Sequence, residues 1–355
     1  MTVQRAPLQV AVIGVGRMGA HHARTYAKLP QARLVAVVDS NAERAAVIAD
    51  QYGCDALPDV ATLLRMHPGI DAVSVAVPTT AHKEVASGLI ARGVGCLVEK
   101  PLAPTSEEAK ALSDLAHAHG TTLQVGHTER FNPAVRAVAG MGISPRYMEV
   151  HRVSPMTFRS LDVGVVMDMM IHDLDIVLTL AQSPLVQVLA TGVAVLGSHE
   201  DVANARLVFE SGCVANLTAS RLALKTERKM RLFSEEAYVN LDYQKRSGLV
   251  IRKSLNAATL DEVRRMLAAG GDLTKLDYRS LVRIEELNMD VPAGQEDPLT
   301  AELTEFLDAV AQRRRPLVDG LAGYAAVDAA DRVLRSLRDH RWEGLPARAV
   351  LDSAL

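Results

Sequence analysis

The chain predicts an α/β fold in two parts. An N-terminal Rossmann dinucleotide-binding domain is expected over residues 1–128. A C-terminal α+β domain with a mostly antiparallel open sheet is expected over residues 129–355, its last helices packing back on the first domain. Three observations carry this. Val10-Ala11-Val12-Ile13 runs straight into Gly14-x-Gly16-x-x-Gly19 and a helical segment, the order of a buried strand, a glycine turn and a helix N-terminus. Strand and helix signals then alternate as far as residue 128, as a parallel sheet with helical crossovers requires. Beyond Val186 strand signals follow one another with no helices between them, which favours antiparallel pairing.

Each glycine of the first turn has its own job. Gly14 permits the sharp turn, Gly16 lets backbone approach a pyrophosphate, and Gly19 lets the helix pack closely on the strand. Arg17 and Met18 open that helix, whose free N–H groups and positive dipole end suit phosphates. Leu34–Val38 reads as the second strand and ends in Asp39, 20 residues after Gly19. An acid at this place accepts bonds from the ribose diol and repels a 2′-phosphate, so NAD is the expected cofactor rather than NADP. The competing reading is a βαβ unit that binds nothing, and the strand–turn–helix–strand–acid order weighs against it. Asn41–Tyr52 and Val60–Met66 read as helices, and Asp71–Val77 as a strand covered on both faces. Pro78 ends that strand, and Thr79 and His82 follow at its carboxyl end, where open α/β sheets bind ligands. A helix over Lys83–Arg92 leads to a strand over Gly95–Val98, with Glu99-Lys100-Pro101 at its carboxyl end. Thr105-x-x-Glu108 is a capping box opening a helix to His119, Gly120 is its C-cap, and Thr121–Val125 is one more strand.

The second half opens with a helix at Pro133 and a strand at Tyr147–Val153, then a very apolar helix at Val165–Ala181. Val202–Phe209, Cys213–Ser220, Arg228–Phe233 and Ala237–Tyr243 are the clearest later strands. A helix over Asp261–Ala268 is broken by Gly270-Gly271, and two amphipathic helices follow at Leu299–Arg313 and Ala322–Asp339. Arg313-Arg314-Arg315 complements the dipole of the first of these.

Composition narrows the class. With 48% hydrophobic and 23% charged residues in 355, the chain can bury a sizeable core of a globular enzyme. A net charge of −3 gives no global attraction to nucleic acid. Cys54, Cys96 and Cys213 form no CxxC pair and read as small buried hydrophobes in a reducing compartment. No apolar run reaches membrane-spanning length, and a strand begins within ten residues of the start, so no signal peptide is expected and the cytoplasm is the default.

Two stretches carry chemistry. Lys100 leaves the carboxyl edge of the sheet, where a cation can hydrogen-bond a substrate hydroxyl and favour its alkoxide. Asp168 and His172 stand at i and i+4 in an otherwise apolar helix, with Asp175 one turn on. A carboxylate beside an imidazole would stabilise its protonated form and fix its tautomer, as a general base for alcohol oxidation needs. A satisfied polar pair in a core, or a metal site, are the alternatives. No second His or Cys cluster at ligand spacing supports the metal.

In these stretches, together with Gly126-His127-Thr128-Glu129-Arg130-Phe131-Asn132-Pro133 and Asp168-x-x-x-His172-Asp173-x-Asp175, the chain resembles the Gfo/Idh/MocA family, which includes glucose–fructose oxidoreductase and inositol dehydrogenase. The resemblance implies that Lys100 orients the reacting hydroxyl, His172 takes its proton and Asp168 supports His172. It places Glu99, Lys100 and Arg130 with the glycine turn, Asp39, Pro78, Thr79 and His82 around NAD, and Asn132 near the substrate. The run Gly126–Pro133, then His151-Arg152-Val153-Ser154-Pro155 and Met169-Met170-Ile171-His172-Asp173, is similar to a bacterial subgroup that oxidises the 3-hydroxyl of UDP-N-acetylglucosamine, handing a 3-keto sugar nucleotide to a partner aminotransferase for lipid A. Arg152, Arg159, Arg228 and Arg231 could meet the diphosphate. A homo-oligomer, dimer or tetramer, is expected, with neither nucleic acid nor membrane as partner. A free sugar or inositol dehydrogenase is the alternative substrate reading, and a non-catalytic NAD-binding regulator the alternative class.

Overall fold

The computed structural model describes residues 6–157, 163–196, 198–253, 257–270, 282–287, 289 and 297–340. Elements β1 (Leu8–Ile13), α1 (Arg17–Tyr26), β2 (Ala32–Val38), α2 (Ala42–Tyr52), β3 (Asp55–Leu57), α3 (Val60–Met66), β4 (Ala72–Val75), α4 (His82–Ile90), β5 (Gly95–Glu99), α5 (Ser106–His119) and β6 (Leu123–Gly126) alternate along the chain. Their strands form one parallel sheet in the order β3-β2-β1-β4-β5-β6. Both faces are covered, which is why Val10–Ile13 of β1 and Ala72–Val75 of β4 are buried throughout and apolar apart from Ser74. In β1, Ala11 and Ile13 join one layer of core and Val10 and Val12 the other. The Thr105 half of the capping box forms: its side chain accepts from the Glu108 N–H, and Gly120 closes α5 in the left-handed region.

The chain continues through α6 (Pro133–Ala139), β7 (Tyr147–Val153), a π-turn at Val166–Met170 running into α7 (Ile171–Ala181), β8 (Leu185–Val193), β9 (Val202–Phe209), β10 (Val214–Ser220), β11 (Glu227–Phe233), β12 (Ala237–Asp242), β13 (Ser247–Lys253), α8 (Ala257–Ala268) and β14 (Val282–Glu286). The second sheet has the order β14-β13-β12-β11-β7-β10-β9-β8 and is antiparallel except where β7 lies parallel to β10. Its strands alternate. Ala203, Ala205 and Leu207 point into a core with Leu174 and Val177 of α7, while Asn204 and Arg206 are exposed.

Two last helices, α9 (Pro298–Gln312) and α10 (Gly320–Asp339), tie the molecule together. Leu303, Phe306 and Leu307 of α9 join Val10, Val12 and Tyr26 in the first domain. α10 spans both cores: Ala326 and Val327 pack with β6 and its neighbours, and Ala329, Ala330 and Val333 pack with the second sheet. It lies close on β6 because Gly323 has no side chain, where a Cβ would stand 2.5 Å from Val125. Just before α10, the Val318 carbonyl accepts from Val125 N at 2.8 Å, covering an otherwise open sheet edge. Of the arginine run, Arg314 pairs with Glu305 and Arg315 with Asp319. Cys96 and Cys213 are buried and Cys54 half-buried, all three as free thiols. Among the described residues no helix is long and apolar enough to cross a membrane, and no cluster could hold a metal ion.

Candidate active site

Parallel strands bring their carboxyl ends to one edge, and that edge carries two adjoining sets of groups. The first is the glycine turn. Gly14 has φ +84°, and a Cβ there would stand 2.8 Å from the Ala76 carbonyl. A Cβ on Gly19 would fall 1.8 Å from the Gly14 oxygen, so this position admits only glycine. At Gly16 the nearest atom to a Cβ is Arg44 Nη1 at 3.8 Å, which leaves the backbone open to a ligand. Gly16 caps α1 with no side chain of its own, so the first N–H groups of α1, those of Arg17 and Met18 among them, remain for a phosphate. Asp39 Oδ2 accepts from Val15 N at 2.9 Å and Oδ1 from Asn41 N at 2.8 Å, which fixes the carboxylate beside the turn. These groups fit a dinucleotide. Pro78 and Thr79 begin the short turn after β4 at the same edge. His82 does not face a ligand: it is buried, with Nδ1 3.0 Å from the Pro101 carbonyl and Nε2 3.0 Å from that of Val77. Glu99 is likewise spent inward, accepting from His22 Nε2 at 2.9 Å and from Lys100 N at 3.2 Å. Burial opposes its charge, but the His22 hydrogen bond holds the carboxyl below its usual range.

The second set joins the two domains. Lys100 Nζ donates to the Asp168 carbonyl at 2.8 Å and lies 3.5 Å from Asp168 Oδ1. The π-turn holds Asp168 at this junction, an irregularity that recurs at functional sites. Burial lowers the Lys100 pKa, and the Asp168 charge works against that fall. Among the described residues His172 Nδ1 is buried without a partner, and the half-buried ring leaves Nε2 outside that buried, unpartnered set. The expectation that Asp168 stabilises a protonated His172 is corrected here. The Asp168 carboxylate turns to the Lys100 ammonium, a full charge that outcompetes a neutral ring. Burial, with Lys100 and Arg152 beside it, pushes the His172 pKa well below its usual value.

Behind these groups lies a lattice of ion pairs. Arg130 clamps Asp175 at 2.6 and 3.0 Å, and Arg152 clamps Asp173 at 2.7 and 2.8 Å. Both are bidentate and largely buried, so neither arginine is free for a ligand's phosphates. Asn132 is also committed: its Oδ1 caps α6 and its Nδ2 donates to Glu129 at 3.2 Å. Arg228 faces Arg152 across β11 and β7, shares Glu129 with it at 3.3 Å, and keeps an exposed guanidinium. Arg231 stands on the opposite face of the sheet with Glu149, because the strand's alternation puts Met230 and Leu232 inward. Arg159 lies outside the described residues.

Four groups escape a reading by motif spacing. Glu129 links Arg152, Arg228 and Asn132. His22 ties Glu99 to Ser74, which also meets the Tyr26 hydroxyl at 2.9 Å. Glu302, from α9, is buried and accepts from Thr128 at 2.8 Å. His127 is fully buried at the end of β6, beside His172. Only His127 and Glu129 carried a signal, since they follow a strand at the same edge as Lys100.

Comparison with known proteins follows the same division. The profile of an oxidoreductase family with an NAD-binding Rossmann fold matches residues 8–127, and that of the GFO/IDH/MocA C-terminal domain matches residues 141–240. The chain belongs to the Gfo/Idh/MocA family. It is an NAD-dependent oxidoreductase, as the Rossmann domain of this family and its dehydrogenase members have it. A UDP-N-acetylglucosamine 3-dehydrogenase of Acidithiobacillus ferrooxidans is 38% identical over 325 residues, covering 91% of this chain and 95% of that protein. The solved structure of that enzyme superposes with a TM-score of 0.82, over 94% of this chain and 99% of its own. A scyllo-inositol 2-dehydrogenase (NAD+) of Bacillus subtilis is 31% identical over 60% of this chain and 67% of its own length. Levoglucosan dehydrogenase bound to NADH and levoglucosan shares the fold at a TM-score of 0.77 and 21% identity, over 96% of this chain and all of its own.

Proposed function

We propose that this enzyme oxidises the 3-hydroxyl of UDP-N-acetylglucosamine with NAD. The observation that carries the substrate is the near end-to-end likeness to the Acidithiobacillus enzyme. The site supports the chemistry. Lys100, held by Asp168, donates to the sugar hydroxyl and favours its alkoxide. His172 is neutral, so its open Nε2 can take the hydroxyl proton. NAD, when bound on the glycine turn, supplies the two-electron acceptor. Arg228, the exposed cation beside the site, takes the diphosphate, while Arg152 and Arg130 stiffen the wall behind it. Asn132 supports that wall through Glu129. The 3-keto product suits an aminotransferase, and the protein assembles as a dimer or tetramer.

The test is NADH formation with UDP-N-acetylglucosamine, UDP-N-acetylgalactosamine, glucose and myo-inositol. Turnover should require the nucleotide sugar. Activity on glucose or myo-inositol alone would replace this reading with a free-polyol dehydrogenase, as the likeness to the Bacillus inositol enzyme would then suggest. Sedimentation of the same sample reports the assembly.

A further inference from the structure

We propose that His127 is a positioning residue for His172, acting through a single water that bridges the two rings. The proposal rests on the reading of His172 as the base.

A neutral imidazole carries one proton, and the hydrogen bond at one nitrogen decides which form the other takes. For Nε2 to accept the hydroxyl proton, Nδ1 must hold its N–H, and that N–H needs an acceptor. Asp168, the acceptor that spacing suggests, is engaged with Lys100. No protein atom among the described residues bonds His172 Nδ1. The ring beside it is His127, fully buried, with both of its own nitrogens equally unpartnered among the described residues. Three orphaned ring nitrogens in one place are unusual, since buried polar atoms almost always find partners.

The geometry specifies the link. The rings meet edge to face, 6.5 Å between centroids at 89°. Allowing about 1.1 Å from each centre to its nitrogens leaves them no closer than about 4 Å, too long for a direct bond, so the link we infer is one bridging water. A polar spot with two ring nitrogens to bind is where buried waters are held. His172 Nδ1–H then donates to the water, and the water donates to a lone pair of His127.

That lone pair must stay free of a proton. Asp175, Arg130, Lys100 and Glu99 face His127; Lys100, Arg152 and Arg228 face His172, with His127 itself. Burial leads in both cases; at His127 the Asp175 and Glu99 carboxylates oppose it while Arg130 and Lys100 add to it, at His172 Lys100, Arg152 and Arg228 add to it, and both rings are held below the usual imidazole range. His127 is therefore an acceptor, and His172 is held in the form that leaves Nε2 open.

The experiment compares His127→Phe, His127→Gln and His172→Ala in the full-length enzyme, using whichever sugar supports turnover. His127→Phe should lower kcat by about 10- to 100-fold, part of what a positioned base supplies. KM and the thermal shift given by NAD should be unchanged. The acid limb of the kcat profile should move to lower pH, because protonated His172 loses a bond that favoured it. His127→Gln, whose amide oxygen can accept from the water, should recover most of the rate. Wild-type kcat in His127→Phe beside a dead His172→Ala overturns the positioning role and leaves the base reading intact. An active His172→Ala overturns the base reading, and this proposal with it. Equal losses in His127→Phe and His127→Gln, with a weakened NAD shift, show a merely structural histidine and also overturn it.

Discussion

Asp168 and Asp173 stand five residues apart at the start of one helix, and each faces a cation, but the two pairs are built differently. Arg152 and Asp173 are almost fully buried and matched tooth to tooth at 2.7 and 2.8 Å. Lys100 and Asp168 stand 3.5 Å apart, with the carboxylate side chain 39% exposed and the ammonium partly held by a carbonyl. A closed pair has no valence left for a substrate. A loose one keeps donors and acceptors available at modest cost. Rigidity and reactivity are thus divided between neighbours: the sealed arginine pairs hold α7, and the open pair at its mouth is the one proposed to meet the substrate.

Substitutions that remove one member of each pair can break or sharpen this contrast. The largest effect is expected at Arg152. Arg152→Met leaves Asp173 buried without a counter-charge and should cost about 3–5 kcal/mol of unfolding free energy, read by urea denaturation. The double change with Asp173→Leu should recover most of it, because an apolar pair of similar volume replaces the ion pair. A loss that persists in the double variant would show that the pair contributes shape rather than charge balance.

Glu302 extends the comparison to an acid with no cation against it among the described residues. Burial, and then the Glu99 charge, raise its pKa well above the usual value. The folded protein keeps a proton that the unfolded chain releases near pH 4.5, so this contribution is complete below that pH and is lost as pH rises toward the folded value. Glu302→Gln keeps the oxygen that accepts from Thr128 and removes the titration. Its stability relative to wild type should climb by about 1.4 kcal/mol per pH unit within that window. A difference independent of pH between 4.5 and 7 would show that Glu302 is ionised in the fold.

The smallest effect is at Arg228, whose exposed guanidinium closes no pair tightly. Arg228→Ala should raise KM for the UDP-sugar about tenfold, the worth of one charge-assisted hydrogen bond, with kcat and stability little changed. An unchanged KM would take the diphosphate elsewhere.

Much of this was legible in the sequence where local chemistry decides structure. The glycine turn, the Thr105 capping box and the strand at Tyr147–Val153 follow from turn geometry, side-chain hydrogen bonding and alternation. The three-residue strand β3 was not, since Asp55-Ala56-Leu57 is too short to show a period. Neither was the parallel pairing of β7 with β10, which joins segments 67 residues apart in register. At the site, Lys100 and His172 stand where motif spacing suggests, but the partner of Asp168 depends on a contact between residues 68 apart. Spacing along one helix could not weigh that contact. Arg231 was a different case. Met230 and Leu232 flank it, and alternation alone assigns it to the outer face.

The central claim is that the loose pair does the chemistry without supporting the fold. It is tested most directly by measuring the melting temperature and kcat of one protein, Lys100→Met. The carboxylate it leaves behind is partly solvated, and the cation it removes is one that burial already disfavours. The melting temperature should stay level or rise, while turnover of UDP-N-acetylglucosamine falls by about 100-fold or more. A lowered melting temperature with turnover retained would contradict the account.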